Sequence, residues 1–121
     1  MKYIDAPDIR EKVSNIIEKL ELDHIRLDRI ACVRSSGTST RNIIARCHAL
    51  PKVMQHALPA EPFYVIELIS ERFDKMNEQE QLKTLIHELS HIPKAFGGGF
   101  RYHDFVESRR INKLFEKFCR K

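Results

Sequence analysis

The sequence predicts an α+β fold: a small mixed sheet of three strands packed against an N-terminal helix and a central helix, with a further helix near the C-terminus. Three observations predict it. Apolar residues recur at helical spacing within residues 7–20, 77–92 and 104–119. Residues 24–34 and 40–47 have strand character, the first by alternation. Residues 63–69 form an apolar run rich in β-formers. A chain of 121 residues is long enough for one domain with a modest core and too short for two.

In the first helix Ile9, Val13, Ile16, Ile17 and Leu20 form one stripe. Pro7 suits the first turn, where its missing N–H is not needed, and Asp5 or Asp8 complements the positive helix end. In residues 24–34, Ile25, Leu27, Arg29 and Ala31 share one parity, and Ile30 and Cys32 the other. That pattern predicts a strand partly covered on both faces. Ser35-Ser36-Gly37-Thr38-Ser39 is a loop. Thr40 to Cys47 reads as a second strand centred on Ile43, Ile44 and Ala45. Its Arg41, Asn42 and Arg46 make it polar enough for a sheet edge. Val53, Met54, Ala57 and Leu58 predict a short helix before Pro59. Phe63 to Ile69 reads as the central strand. Within it Glu67 is better explained as a paired buried acid than as a cleft residue.

Asn77 to Ile92 carries the chemistry. Asn77 and Glu80 have capping-box spacing, Leu82, Leu85, Ile86 and Leu89 form the apolar stripe, and Pro93 ends the helix by restricting Ile92. On this helix His87-Glu88-Leu89-Ser90-His91 matches H-E-x-x-H. Positions i and i+4 lie one turn apart on one face, so two imidazoles can reach a single ion. Glu88 lies where it can take a proton from a water that the ion activates. At about 100° per residue the apolar stripe points nearly opposite to both histidines, which therefore leave the helix toward a cleft. With this composition chance supplies roughly 0.03 such matches per shuffled chain. The alternative reading is a surface helix that happens to carry two histidines.

A catalytic zinc site takes three protein ligands and keeps one position open. Lys94 to Tyr102 forms a loop containing Gly97-Gly98-Gly99, and such a loop can reverse sharply and return His103 to the pair as third ligand. Asp104 and Glu107 remain open as carboxylate alternatives. Neutral imidazoles leave Zn2+ its full charge. Glu88 is then the general base and afterwards the proton donor to the leaving amine. Tyr102 and Arg101 are the nearest candidates for oxyanion stabilisation. His24, His48 and His56 have no ligand spacing and read as surface or structural residues. Cys47 and His48, adjacent in a strand, point to opposite faces.

Composition excludes several classes. Hydrophobic residues make up 42% and charged residues 31%, a globular balance with no apolar run of membrane-spanning length. Met1 to Arg10 lacks a signal core, so a cytoplasmic location is expected. Cys32, Cys47 and Cys119 contain no C-x-x-C pair and read as buried thiols. A net charge of +4 permits contact with nucleic acid without establishing it. The cations Arg109, Arg110, Lys113, Lys117, Arg120 and Lys121 read first as a solvated helix face. No phosphate-binding motif accompanies the histidines, which favours peptide over nucleic-acid hydrolysis. Glu88 argues against a module that only binds a partner, since a structural zinc needs no base.

Ala45-Arg46 followed by Leu50-Pro51, then Tyr64 to Glu67, Leu85 to Pro93, and Phe96 with Gly98 leading to His103 carry a family resemblance. The segment from Ile43 to His103 resembles the small predicted metallopeptidases of archaea and phages, related in outline to SprT-like and minimal gluzincin-type zincins. The resemblance implies a single zincin-like domain over residues 1–121 and a zinc-dependent peptidase acting on a protein or peptide. It implies His87, His91 and His103 as ligands and Glu88 as base. It also implies that an edge strand, here 41–47, holds the substrate backbone by strand addition. SprT-like relatives act on proteins bound to DNA, although this chain has no evident zinc ribbon or separate DNA-binding module.

Overall fold

A computed structural model describes residues 1–39, 41–101 and 108–121. The elements run β1 (Lys2–Asp5), α1 (Pro7–Lys19), β2 (Ile30–Ser36), β3 (Ala45–Ala49), α2 (Lys52–Ala57), β4 (Tyr64–Ile69), α3 (Ser70–Phe73), α4 (Glu78–Ser90) and α5 (Ser108–Arg120). The sheet order is β1-β2-β4-β3. β2 and β4 pair in parallel, while β1 with β2 and β3 with β4 are antiparallel. The mixed α+β class therefore holds, with β4 central as expected.

Among the described residues the sheet has four strands instead of the expected three. The extra one, β1, is exposed at every position, so no hydrophobic alternation reveals it in the sequence. It exists through backbone pairing, from Lys2 opposite Ser36 to Asp5 opposite Val33. The strand expected over 24–34 starts only at Ile30. Leu27–Arg29 is a 3-10 turn, and Arg29 is turned aside to donate to the carbonyls of Glu61 and Pro62. The strand expected over 40–47 lies at Ala45–Ala49. Ile44 is apolar because it packs on the core.

One face of the sheet carries the core. Ile30 and Cys32 of β2 and Tyr64, Ile66 and Leu68 of β4 cluster with Ile9, Val13 and Ile16 of α1 and with Leu85, Ile86 and Leu89 of α4. Ile111 and Phe118 of α5 join the same cluster. Each fully buried aliphatic or aromatic side chain contributes about 1.5–3 kcal/mol, so α4 is fixed to the sheet by its apolar stripe. Its start is fixed by the expected capping box. The Glu80 N–H donates to Asn77 Oδ1 at 2.9 Å, and the Asn77 N–H donates to Glu80 Oε1 at 3.2 Å. Asn77→Ala removes the first of these bonds and is expected to cost about 1 kcal/mol, read as a lower urea midpoint at unchanged slope. Among the described residues no helix is long and apolar enough to cross a membrane.

Candidate metal centre

His87 and His91 occupy one face of α4 at its C-terminal end, and their Nε2 atoms are 3.3 Å apart. Two nitrogens bound to one tetrahedral zinc at about 2.0–2.1 Å stand about 3.3 Å from each other. The pair is thus spaced as co-ligands. One potential ligand atom from each of His87, Glu88 and His91 lies within 4.8 Å of the others. The orientation of His91 agrees. Its Nδ1 is 2.8 Å from the carbonyl of Arg101. A carbonyl only accepts, so Nδ1 carries the proton and Nε2 of the neutral ring keeps its lone pair. The Arg101 N–H donates back to the His91 carbonyl at 2.8 Å.

The loop that delivers Arg101 is docked at several points. Tyr64 of the central strand donates its hydroxyl to the Gly99 carbonyl and accepts from the Gly98 N–H, both at 2.9 Å. Gln55 Nε2 donates to the carbonyls of Leu50 and Gly97. Phe96, at φ +47, packs against Tyr64 with ring centroids 4.9 Å apart and planes tilted by 58°. Gly98 has φ +105, and a Cβ there would lie 2.6 Å from Gln55 Nε2 and 2.7 Å from the Leu50 oxygen. Only glycine fits that position. The expected reversal of this loop is therefore present and closes on His91. His103 lies outside the described residues, as do Tyr102, Asp104 and Glu107.

Glu88 is buried beside the pair, and burial pushes its carboxyl up to about 7. Cys47 lines the same cleft. Burial, and then the neighbouring Glu88 charge, push its thiol up to about 12, so it is neutral. The cysteines are not all buried as expected. Cys32 is, Cys47 is half-buried, and Cys119 is exposed. Cys119 follows the inward Phe118 on α5 and points away from the core.

Among the described residues β3 is the last strand of the sheet and pairs only with β4. Its predicted edge character is correct. The Ile69 N–H donates to the Ile44 carbonyl, and the Leu50 N–H to the Phe63 carbonyl. Hydrogen-bonded residues alternate along an antiparallel ladder, so Arg46 and His48 direct their backbone groups to β4. The N–H and C=O of Ala45 and Cys47 consequently point outward, along an edge that no described strand covers. Below that edge lie two adjoining cavities of about 470 and 540 Å3, both lined by Ile43, Ala45, His87 and Glu88. Glu88 and the histidines thus sit in the middle of one continuous cleft.

Glu67 faces the other side of the sheet. Ser35 Oγ donates to one of its oxygens at 2.5 Å, and His48 Nε2 to the other at 2.7 Å; the Arg46 guanidinium is 3.9 Å away. Burial pushes its pKa up, but the bonds from Ser35 and His48 and the nearby positive charge outweigh it, leaving the carboxyl below its usual range. It is the paired buried acid that the sequence suggests. His24 is also structural, bonded to the Ile92 carbonyl at 3.2 Å, and His56 is exposed. Two partners of the site escape sequence reasoning. Arg101 acts on His91 through its backbone, which residue type does not disclose. Tyr64 reads simply as a strand aromatic.

No curated protein and no solved structure matches the chain. Residues 1–120, a span that includes α4, the glycine loop and the whole sheet, match one family. By that match the chain belongs to the family described as Putative phage metallopeptidase.

Proposed function

We propose that this protein is a zinc-dependent endopeptidase with a single zincin-like domain, in which Glu88 is the general base. The observation that carries the proposal is the Nε2 pair at 3.3 Å with a buried carboxyl beside it, beneath a free strand edge. His87 and His91 are two ligands and His103 the third. Support for His103 comes from the chain's return to His91 at Arg101, two positions before it. A zinc ion held there supplies Lewis acidity toward water and toward the scissile carbonyl. Glu88 accepts the proton of the attacking water and passes it to the leaving amine. The edge groups of Ala45 and Cys47 hold the substrate backbone by strand addition. The exposed cations Arg109, Arg110, Lys113 and Arg120 of α5 support a target in the neighbourhood of nucleic acid.

The test is to incubate zinc-loaded protein with an unfolded protein and with single-stranded DNA, separately and together, beside Glu88→Gln. Proteolysis that disappears in the variant is expected. Retained zinc with no proteolysis under any condition overturns the enzyme reading in favour of a binding module. DNA cleavage would replace it with a nuclease. In metal analysis His103→Ala is expected to lower zinc occupancy at least tenfold under chelator competition. Unchanged occupancy removes His103 from the ligand set.

A further inference from the structure

We infer that Lys83 is a carboxylate subsite of the cleft: it receives a substrate carboxylate about two or three residues past the cleaved bond, from an Asp or Glu side chain or from the substrate's own C-terminus. The inference rests on the peptidase reading of the same cleft and assigns it a substrate class.

The anomaly is a cation without a counterion. Residues four apart on a helix share a face, so Lys83 lies one turn before His87 on the side of α4 that carries the histidine pair. With His87 and Glu88 it lines the cavity of about 470 Å3. The residue is half-buried, and its ammonium nitrogen stands 5.0 Å from the centroid of the Phe115 ring on α5. The ring attracts the cation without neutralising it. Among the described residues no acid forms an ion pair with Lys83. Glu80, the acid one turn earlier, accepts from the Asn77 N–H instead. Glu88 is the one acid among the described residues lining the cavity, and it lies beside the histidines. A partly desolvated charge that lacks a partner is costly, and an entering carboxylate relieves that cost.

The position follows from direction. The outward groups of Ala45 and Cys47 pair most stably with an antiparallel strand. β3 runs from Ala45 to Ala49. The cavity that holds Lys83 adjoins the start of β3 at Ile43, Ile44 and Ala45, whereas His91 shares its cavity with Cys47 and His48. A peptide paired in the antiparallel sense therefore passes the histidines and runs its carboxyl end toward Lys83. Helical side chains lean toward the helix N-terminus, which carries the ammonium farther from His87 than the roughly 6 Å between their Cβ atoms. At about 3.4 Å per extended residue, that span is about two or three residues of substrate. Asn42 and Asn112 line the same cavity, and their amide N–H groups suit the remaining lone pairs of a carboxylate.

The test begins with a digest of an unfolded protein by the zinc-loaded protein, in which mass spectrometry locates a cleaved bond. Peptides built on that bond carry Asp, Asn or Lys at the second or third residue after it, or end there as free acid or as amide. Asp over Asn, or acid over amide, is expected to raise kcat/KM about fivefold at low salt, with the gain shrinking as salt rises. The arm that shows the gain names the source of the carboxylate. No gain in either arm overturns the inference while leaving a peptidase. Lys83→Met keeps an apolar stem against Phe115 and should bring the Asp-to-Asn ratio to one, and Lys83→Glu should invert it in favour of Lys. A ratio unchanged in both variants overturns the assignment to Lys83. A binding measurement keeps the two readings apart. Zinc-loaded Glu88→Gln, with and without Lys83→Met, is titrated with two labelled peptides, one rich in Asp and the other carrying Asn at the same positions. Tighter binding of the Asp peptide that is lost with Lys83→Met, and no cleavage by the unmodified protein, keeps the subsite and overturns the peptidase. Equal binding of the two peptides overturns the subsite.

Discussion

Replacing Glu88 with Gln is expected to lower peptide cleavage by about 100- to 10,000-fold and to leave zinc content unchanged. The amide has the size of the carboxyl but no basic oxygen, so the proton of the attacking water has nowhere to go. The histidines themselves are unchanged, and the Arg101 carbonyl still orients His91. Kinetics and metal analysis on one preparation check both halves. The same variant changes the pH response of the metal-free protein, with a sign that follows from burial. The carboxyl is held near 7 against an ordinary 4.5. Between those values the native chain keeps a proton that the unfolded chain has released. Stability of the metal-free protein therefore falls as pH rises from about 4.5 to 7, by up to about 3 kcal/mol at 1.36 kcal/mol per pKa unit. The amide of Glu88→Gln cannot ionise, so the variant should lose this slope and be the more stable protein at pH 8. Urea unfolding at pH 5 and pH 8 measures it. An equal slope in both proteins would mean that Glu88 is not buried as described.

Gly98→Ala is expected to destabilise the fold by about 2–4 kcal/mol and to weaken zinc binding. The new Cβ meets the Leu50 carbonyl at 2.7 Å, and a backbone atom cannot step aside as a flexible side-chain tip can. The positive φ adds strain of its own. The loop must move, and the first bonds to go are those from Tyr64 and Gln55 that hold Gly97, Gly98 and Gly99. Arg101 then no longer fixes His91, and an imidazole free to rotate binds metal less well. Thermal melts with and without zinc separate the two effects. A variant that is less stable but binds zinc with full affinity would show that the loop does not orient His91.

Helix α4 was legible from the sequence because its signals are local. The capping box, the apolar stripe, the H-E-x-x-H spacing and the proline stop all fall between Asn77 and Pro93. β4 was legible because a strand buried against helices reads as an apolar run. β1 was not, since Lys2 to Asp5 bury nothing and owe their structure to the backbone of β2. The early start expected for β2 failed for a related reason. Ile25 and Leu27 alternate as strand residues do, yet they belong to a turn that packs on the core. Of the candidate site, residue type and spacing singled out His87, Glu88 and His91, whose potential ligand atoms the fold brings within 4.8 Å of one another. The bonds between Tyr64 and the glycine loop, and the one from His91 Nδ1 to the Arg101 carbonyl, were hidden because they join side chains to backbone groups that no short motif encodes.

The Glu67 carboxylate also sets the order in which the molecule comes apart in acid. Its folded pKa lies below 4.5, so its bonds contribute fully above that value and are lost as pH falls through the depressed one. Protonation loosens the bond from His48, and with it the hold of β4 on the outermost strand. Glu88 on α4 depends on pH in the opposite sense, being neutral in the folded protein below about 7, and the α1–β2–α4 packing around it is built from Ile, Leu, Val and Cys side chains. Acid is therefore expected to open β3 first as a local unit, seen as amide exchange at Ala45–Ala49 while α4 stays protected. The edge proposed to grip the substrate and the helix proposed to grip the ion are two separately breakable parts of one small protein.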